Sequence, residues 1–246
     1  VSDALVAYLA AQRRGDAAAR AVLLADGPAG LSAGASLTLT PPGGITGSLG
    51  SAEADEAALG LLQTMLAEGS PRTATLTLSG GELELFIMVT RPPERLIIVG
   101  AVHTAIPLVS FANALGYRTI VIDNRRAFAT PERFGHAARL IVRWPADELA
   151  DLQLLPSDSV VFLTHDERID NPALALVLDS PVRYVGALGS RSMQRSRNDA
   201  LREAGVAQEQ IDRIHGPIGL DLGGRTPEEI ALAIIAEVVQ VKHARR

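Results

Sequence analysis

From Glu94 onward the chain repeats one pattern: a short apolar run, a turn, then a helical stretch. Leu96-Ile97-Ile98-Val99 carries no polar residue, as expected of a strand buried on both faces of a parallel sheet. Gly100 ends it, and a helix is predicted as far as Leu115, closed by Gly116. Thr119–Ile122 repeats the run and stops at Asp123, and further strands are predicted over Arg139–Val142, Ser159–Leu163 and Arg183–Ala187. Thr130-Pro131-Glu132 opens a short helix with a cap and a first-turn proline, Asn171-Pro172 opens another, and Ser190–Ala204 reads as a third. The last helix has the clearest start, the capping box Thr226-Pro227-Glu228-Glu229. Its body is apolar nearly all round, interrupted only by Glu237 and Gln240. Such a helix is buried in a core or in a subunit interface, and the second option predicts a homo-oligomer. Strand–helix units joined by short loops imply a doubly wound parallel sheet with right-handed crossovers. The expected class is α/β, with a Rossmann-like domain over 94–246.

Residues 1–90 read as a smaller α+β domain. An amphipathic helix is predicted over Asp3–Arg14, followed by small-residue and glycine-rich segments and the turn Pro41-Pro42-Gly43-Gly44. A second helix is predicted over Ala52–Glu68. Thr73–Leu78 and Glu82–Val89 alternate on either side of Ser79-Gly80-Gly81, a hairpin signal. Arg91-Pro92-Pro93 is a stiff linker.

Composition narrows the function. With 47% hydrophobic and 21% charged residues the chain is globular rather than disordered. A formal charge of −5 disfavours general nucleic-acid binding, which needs a basic face to release counterions. The absence of cysteine excludes disulfides, thiolate metal sites and cysteine nucleophiles. The five histidines, at 103, 136, 165, 215 and 243, form no HxxxH pair, so no metal site is predicted. No apolar stretch reaches the roughly 18 residues of a spanning helix. The opening VSDALVAYLAAQRRGD does not fit a signal peptide, which leads to the expectation of a cytoplasmic protein.

In a doubly wound sheet, ligands bind beyond the carboxyl ends of the strands. Those ends are predicted at Gly100–His103, Asp123, Thr164–Asp166 and Gly186–Arg191, with the loop His215–Arg225 leading to the last helix. The first turn, Gly100-Ala101-Val102-His103-Thr104-Ala105, keeps the first glycine of the GxGxxG/A fingerprint but has Val102 in the middle. A β-branched side chain there obstructs the usual pyrophosphate approach. Asp123, 23 residues after Gly100, is placed either to hold a ribose hydroxyl or to cap a neighbouring loop. His103 either contacts a ligand at the helix start or packs, and Thr164-His165-Asp166 is either part of the mouth or a plain turn. Gly189, Ser190 and Arg191 combine a glycine, a hydroxyl and a guanidinium at a helix start, the chemistry of an anion site. Arg191, Arg195 and Arg197 read equally well as a solvated basic face. The run HGPIGLDLGGR, with His215, Gly219, Asp221 and Arg225, is expected to be a functional loop.

These segments resemble the XdhC/CoxI family of accessory proteins for molybdenum hydroxylases. The likeness runs through IIVGAVHTAIPL, VIDNR, FATPERF, LTHD, YVGALGSR and RIHGPIGLDLGGRTPEEIALAI, with a weaker match at GSLGSAEADEA and SGGELELF. It implies binding of the molybdenum cofactor (molybdopterin or its dinucleotide form) and its delivery to a xanthine or carbon monoxide dehydrogenase apoenzyme. The implied site is Gly100, His103, Asp123, His165, Gly189, Ser190, Arg191, His215, Gly219, Asp221 and Arg225. Family members often carry cysteines in the smaller domain. Here Ser79 stands at the place of one, which resembles a cysteine-free CoxI/CoxF-like branch. Two alternatives stay open at this point: an NAD(P)-dependent oxidoreductase, or a non-catalytic scaffold that recruits the dehydrogenase or an assembly ATPase.

Overall fold

The structure, a computed structural model, describes residues 2–69 and 71–244, with the side chains of 67 and 68 left aside. The chain divides into two compact units, Val1–Pro93 and Glu94–Arg246. Among the described residues no helix is long and apolar enough to cross a membrane.

The first unit runs α1 (Asp3–Arg14), β1 (Ala18–Leu23), β2 (Ser36–Thr40), β3 (Gly44–Ser48), α2 (Ala52–Glu68), β4 (Arg72–Leu78) and β5 (Gly81–Thr90). Its strands form one antiparallel sheet in the order β3-β2-β1-β5-β4. The β4–β5 hairpin and both helices lie where the sequence places them. Strands β1 to β3 occupy the stretch that reads only as small-residue and glycine-rich. For β1 the reason is packing on both of its faces. Ala19, Ala21 and Leu23 meet Ala54, Ala58, Leu62 and Met65 of α2, while Ala18 packs with Tyr8 and Ala11 of α1. Double coverage removes the alternation that marks a strand with one wet face.

The second unit runs β6 (Arg95–Val99), α3 (Ala105–Ala114), β7 (Arg118–Ile122), α4 (Pro131–Phe134), β8 (Arg139–Ile141), α5 (Pro145–Asp151), β9 (Ser159–Phe162), α6 (Glu167–Leu178), β10 (Tyr184–Ala187), α7 (Arg191–Glu203), α8 (Gln208–Ile211), β11 (Ile214–His215) and α9 (Pro227–His243). All six strands are parallel, in the order β11-β10-β9-β6-β7-β8. Renumbered from β6, this is the 6-5-4-1-2-3 order of a Rossmann sheet, whose direction of winding reverses between β6 and β9. Each strand alternates its apolar residues between two cores. Leu96, Ile98, Val121 and Val161 face α3 and α9, whereas Ile97, Val99, Val160 and Phe162 face α6.

Helix α6 begins at Glu167, not at Asn171-Pro172 as the sequence suggests. Asp166 is its N-cap, accepting from the Arg168 amide at 3.0 Å, and Pro172 lies inside the helix. The proline signal misleads because a better cap stands upstream of it. Helices α5 and α8 and strand β11, of 7, 4 and 2 residues, are too short to carry a periodic signal. Helix α9 starts at the predicted capping box and buries Ala231, Ala233, Ile234, Ile235 and Val238 in its own unit, leaving Leu232 exposed.

Ile98 is fully buried in the middle of the central strand. Replacing it with alanine is expected to cost about 2–5 kcal/mol, read as a lower urea midpoint with unchanged slope.

Candidate functional site

The carboxyl edge of the parallel sheet is built around one close approach. Gly100, at φ +111°, donates its amide to Ile122 at 2.9 Å. A Cβ on it would stand 2.9 Å from Thr164 Cγ2 and 3.1 Å from the Thr164 amide. Glycine therefore serves twice here, for a backbone conformation that other residues rarely adopt and for contact with the end of β9. This is also the crossover where winding reverses, the usual ligand crevice of such sheets.

Asp123 closes the other side of that turn and is almost completely buried. Its Oδ2 accepts from the Ala101 amide at 2.7 Å and from Arg125 Nη2 at 2.7 Å, and its Oδ1 accepts from Arg125 N and Nε, both at 2.9 Å. Burial works against the charge, but the bonds from Arg125 and Ala101 outweigh it and hold the carboxyl below its ordinary range. Both oxygens are thus engaged within the protein. The Arg125 guanidinium also lies over the Phe128 ring at 4.6 Å. Among the described residues the amides of Val102, His103 and Thr104 have no backbone partner, and the His103 side chain is exposed beside them. Donors at a helix start of this kind suit an anion.

Across the crossover, His165 stands exposed at the end of β9 with φ +59°, which costs a histidine about 1 kcal/mol. Asp166 pairs with Arg168 at 2.8 Å rather than with His165. Behind the turn, Thr164 Oγ1 donates to Asp170 Oδ1 at 2.6 Å. Asp170 is 1% exposed, and its Oδ2 has no partner. Burial pushes its carboxyl up to about 6, against the opposing pull of Thr164 and the Arg197 charge.

At the end of β10, Gly189 (φ +146°) leads to Ser190, the N-cap of α7, whose Oγ accepts from the Met193 amide at 3.2 Å. Arg191 and Arg195 are exposed, but Arg197 is 2% exposed and so does not belong to a solvated face. It donates to the Leu188 carbonyl at 3.0 Å and to Gln194 Oε1 at 2.6 Å, anchoring the Leu188–Ser190 turn to α7.

The HGPIGLDLGGR loop falls into two halves. In the first, Glu237 of α9 accepts from His215 Nδ1 at 3.1 Å, from the Gly219 amide at 2.8 Å and from the Tyr184 hydroxyl. The Tyr184 and His215 rings lie 4.6 Å apart. Burial raises the Glu237 carboxyl, yet the bonds from His215, Tyr184 and Gly219 prevail and leave it below its usual range. Glu237 and Tyr184 are not among the residues that the sequence singles out for the site. The signal for Glu237 is present, as one of only two polar interruptions in the body of α9. In the second half, Asp221, Leu222, Gly223, Gly224 and Arg225 are all exposed, and Glu229 ties the Arg225 and Thr226 amides at 2.8 and 3.0 Å. Surface grooves along the distal half of α6, which share Leu176 and Asp179, lie away from this edge.

In the first unit, the segments GSLGSAEADEA and SGGELELF are brought together. Glu53 accepts from the Ser79 amide at 2.7 Å and from its hydroxyl at 2.9 Å, which lowers its carboxyl pKa.

Comparison with known proteins agrees with this architecture. The XdhC Rossmann domain profile matches residues 96–238. The chain belongs to the XdhC family. This member is 33% identical over 165 residues to the uncharacterized protein YqeB of Escherichia coli K12, covering 67% of this chain and 30% of that protein. It is 32% identical over 158 residues to a probable xanthine dehydrogenase subunit of Bacillus subtilis 168, covering 64% and 46%. To the molybdenum cofactor insertion chaperone PaoD of Escherichia coli K12 it is 29% identical over 168 residues, covering 68% and 46%. The chain thus spans less than half the length of these relatives. A crystal structure described as a xanthine dehydrogenase from Bacillus halodurans has the same fold over 100% of this chain and 97% of that one, with a TM-score of 0.58 and 23% identity.

The raised Asp170 carboxyl has a consequence for stability. The fold favours its neutral form, so native stability contributed by this group falls as pH rises from about 4 to about 6 and is level above. Asparagine mimics the neutral acid. Asp170→Asn is therefore expected to melt with wild type near pH 4 and progressively above it towards about pH 7. Differential scanning calorimetry across that range checks it, and a gap that shrinks with pH would contradict the assignment.

Proposed function

We propose that this chain binds the molybdenum cofactor at the carboxyl edge of its parallel sheet and acts as a maturation factor that delivers it to a molybdenum hydroxylase apoenzyme of the xanthine or carbon monoxide dehydrogenase type. The observation that carries the reading is a pair of helix starts on the carboxyl edge, α3 at the crossover and α7 one strand beyond β9. Each offers amide donors beside exposed polar side chains, His103 at one and Ser190 and Arg191 at the other. This donor set fits the phosphate of a pterin cofactor. The reading also draws on the relatives, one a molybdenum cofactor insertion chaperone and one a probable xanthine dehydrogenase subunit.

Within that site Arg191 and Arg225 are the phosphate partners and His103 and His165 the polar contacts. Gly100, Gly189 and Gly219 shape the backbone, and Asp123, His215 and Asp221 fix or line the loops. The absence of cysteine from the sequence favours carriage and delivery over sulfur transfer through a protein thiolate, as in a cysteine-free CoxI/CoxF-like branch. Ordinary NAD(P) binding has less support. Val102 occupies the pyrophosphate glycine position, and the Asp123 oxygens that would hold a ribose are engaged by Ala101 and Arg125.

Protein purified anaerobically from a cofactor-producing host is expected to carry near-stoichiometric pterin and molybdenum, measured by fluorescence of the oxidised pterin and by elemental analysis. Arg191→Ala is expected to lower retention about tenfold, the loss of roughly one charge-assisted contact. Pterin-free wild type that instead titrates tightly with NAD(H) would replace this reading with the oxidoreductase one.

A further inference from the structure

Two features of the crevice are not explained by ligand contacts alone. His165 has a left-handed backbone although it is neither glycine nor asparagine, and its side chain makes no hydrogen bond among the described residues. Bonded to the residue before it is Asp170, an acid 1% exposed, with one oxygen unpartnered. Strain of this kind persists only where the surroundings over-determine it. The surroundings here are specific.

Thr164 joins the two. Its backbone lies against Gly100, so it cannot shift toward the first turn without displacing that contact. Its hydroxyl donates to Asp170 Oδ1 at 2.6 Å and accepts from the Asp166 amide at 3.0 Å. Asp166 is in turn fixed as the cap of α6. The residues on both sides of His165 are therefore held through one hydroxyl, and the turn between them is left to take the positive φ.

We propose that Asp170 and Thr164 form a positioning pair that holds His165 in its left-handed conformation and presents its imidazole to ligand at the crossover crevice. Asp170 is not itself a ligand contact, because it is enclosed. It acts through Thr164, and its charge sets how firmly. The ionised carboxylate accepts the Thr164 hydroxyl in a short charge-assisted bond, whereas the neutral acid accepts it more weakly. The groups that face Asp170 are Thr164 at the strand end, Asp166 on its own helix cap, Arg197 from α7 and Arg125 from the turn after β7. With its carboxyl raised to about 6 by burial, the pair tightens as pH rises through that value and loosens below it. The ligand half of this inference rests on the cofactor reading above; the conformational half does not.

The test uses the full chain, isotope-labelled, with two readouts. The first is the strong intraresidue HN–Hα NOE that marks positive φ at His165. The second is retention of molybdopterin released anaerobically from a molybdenum enzyme. In wild type the NOE is expected to weaken as pH falls from about 7.5 to about 5. Asp170→Asn should hold it constant across that range, and Thr164→Val should abolish it and lower retention about tenfold. Thr164→Ser, which keeps the hydroxyl, should restore both. An unchanged NOE in Thr164→Val, or Asp170→Asn titrating like wild type, overturns the proposal. If Thr164→Val does not fold, the comparison of wild type with Asp170→Asn decides alone. If wild type retains no pterin, the cofactor reading falls while the NOE still decides the positioning pair.

Discussion

The contact of the Gly100 turn with the end of β9 governs the rest of the second unit. Strands β6 and β9 are neighbours in the sheet but are separated in the chain by two whole strand–helix units. Their adjacency creates the reversal of winding, and with it a crevice between two helix starts. A side chain at position 100 would strike the Thr164 side chain and backbone. The approach in turn fixes where Thr164 lies, and so where the His165 turn begins. On its far side, the same turn presents the Ala101 amide to Asp123.

Three acids meet burial differently around this edge, and the differences follow from their donors. Asp123 receives four hydrogen bonds from two residues and keeps its charge despite being enclosed. Glu237 is held by an imidazole, a phenol and an amide, and it uses its charge to pin the first half of a glycine-rich loop to α9. Asp170 has one hydroxyl donor, and burial wins. A carboxylate well supplied with donors is a structural anchor, whereas one poorly supplied is a group whose charge can change under mild conditions. The edge therefore combines rigid loops with one acid able to respond to pH.

Much of this is legible in the sequence because the second unit is locally consistent. Uninterrupted apolar runs such as LIIV and TIVI indicate strands buried on both faces, and Thr226-Pro227-Glu228-Glu229 specifies a helix start with its own hydrogen-bond partners. The ends of those runs mark the edge of the sheet, so residues from Gly100 to Arg225 can be grouped from the chain alone. Other features cannot be read this way. The alanine-rich β1 lacks alternation because helices cover it on both sides, and α6 starts at an aspartate cap although a proline further on looks like the better signal. Arg197 resembles Arg191 and Arg195 in sequence, yet only its helical phase sends it inward to the Leu188 carbonyl.

By itself, then, the sequence determined the class of fold, the direction of its sheet and the set of loops at its carboxyl edge, because those depend on local periodicity, caps and turn residues. Tertiary structure decided which polar groups in those loops are available. Asp123 and Asp170 are equally acidic on paper. Only long-range packing brings Arg125 and the Ala101 amide to the first, and leaves the second with Thr164 and a low-dielectric surrounding. The same packing holds His165 at a positive φ, which no pattern along the chain could show.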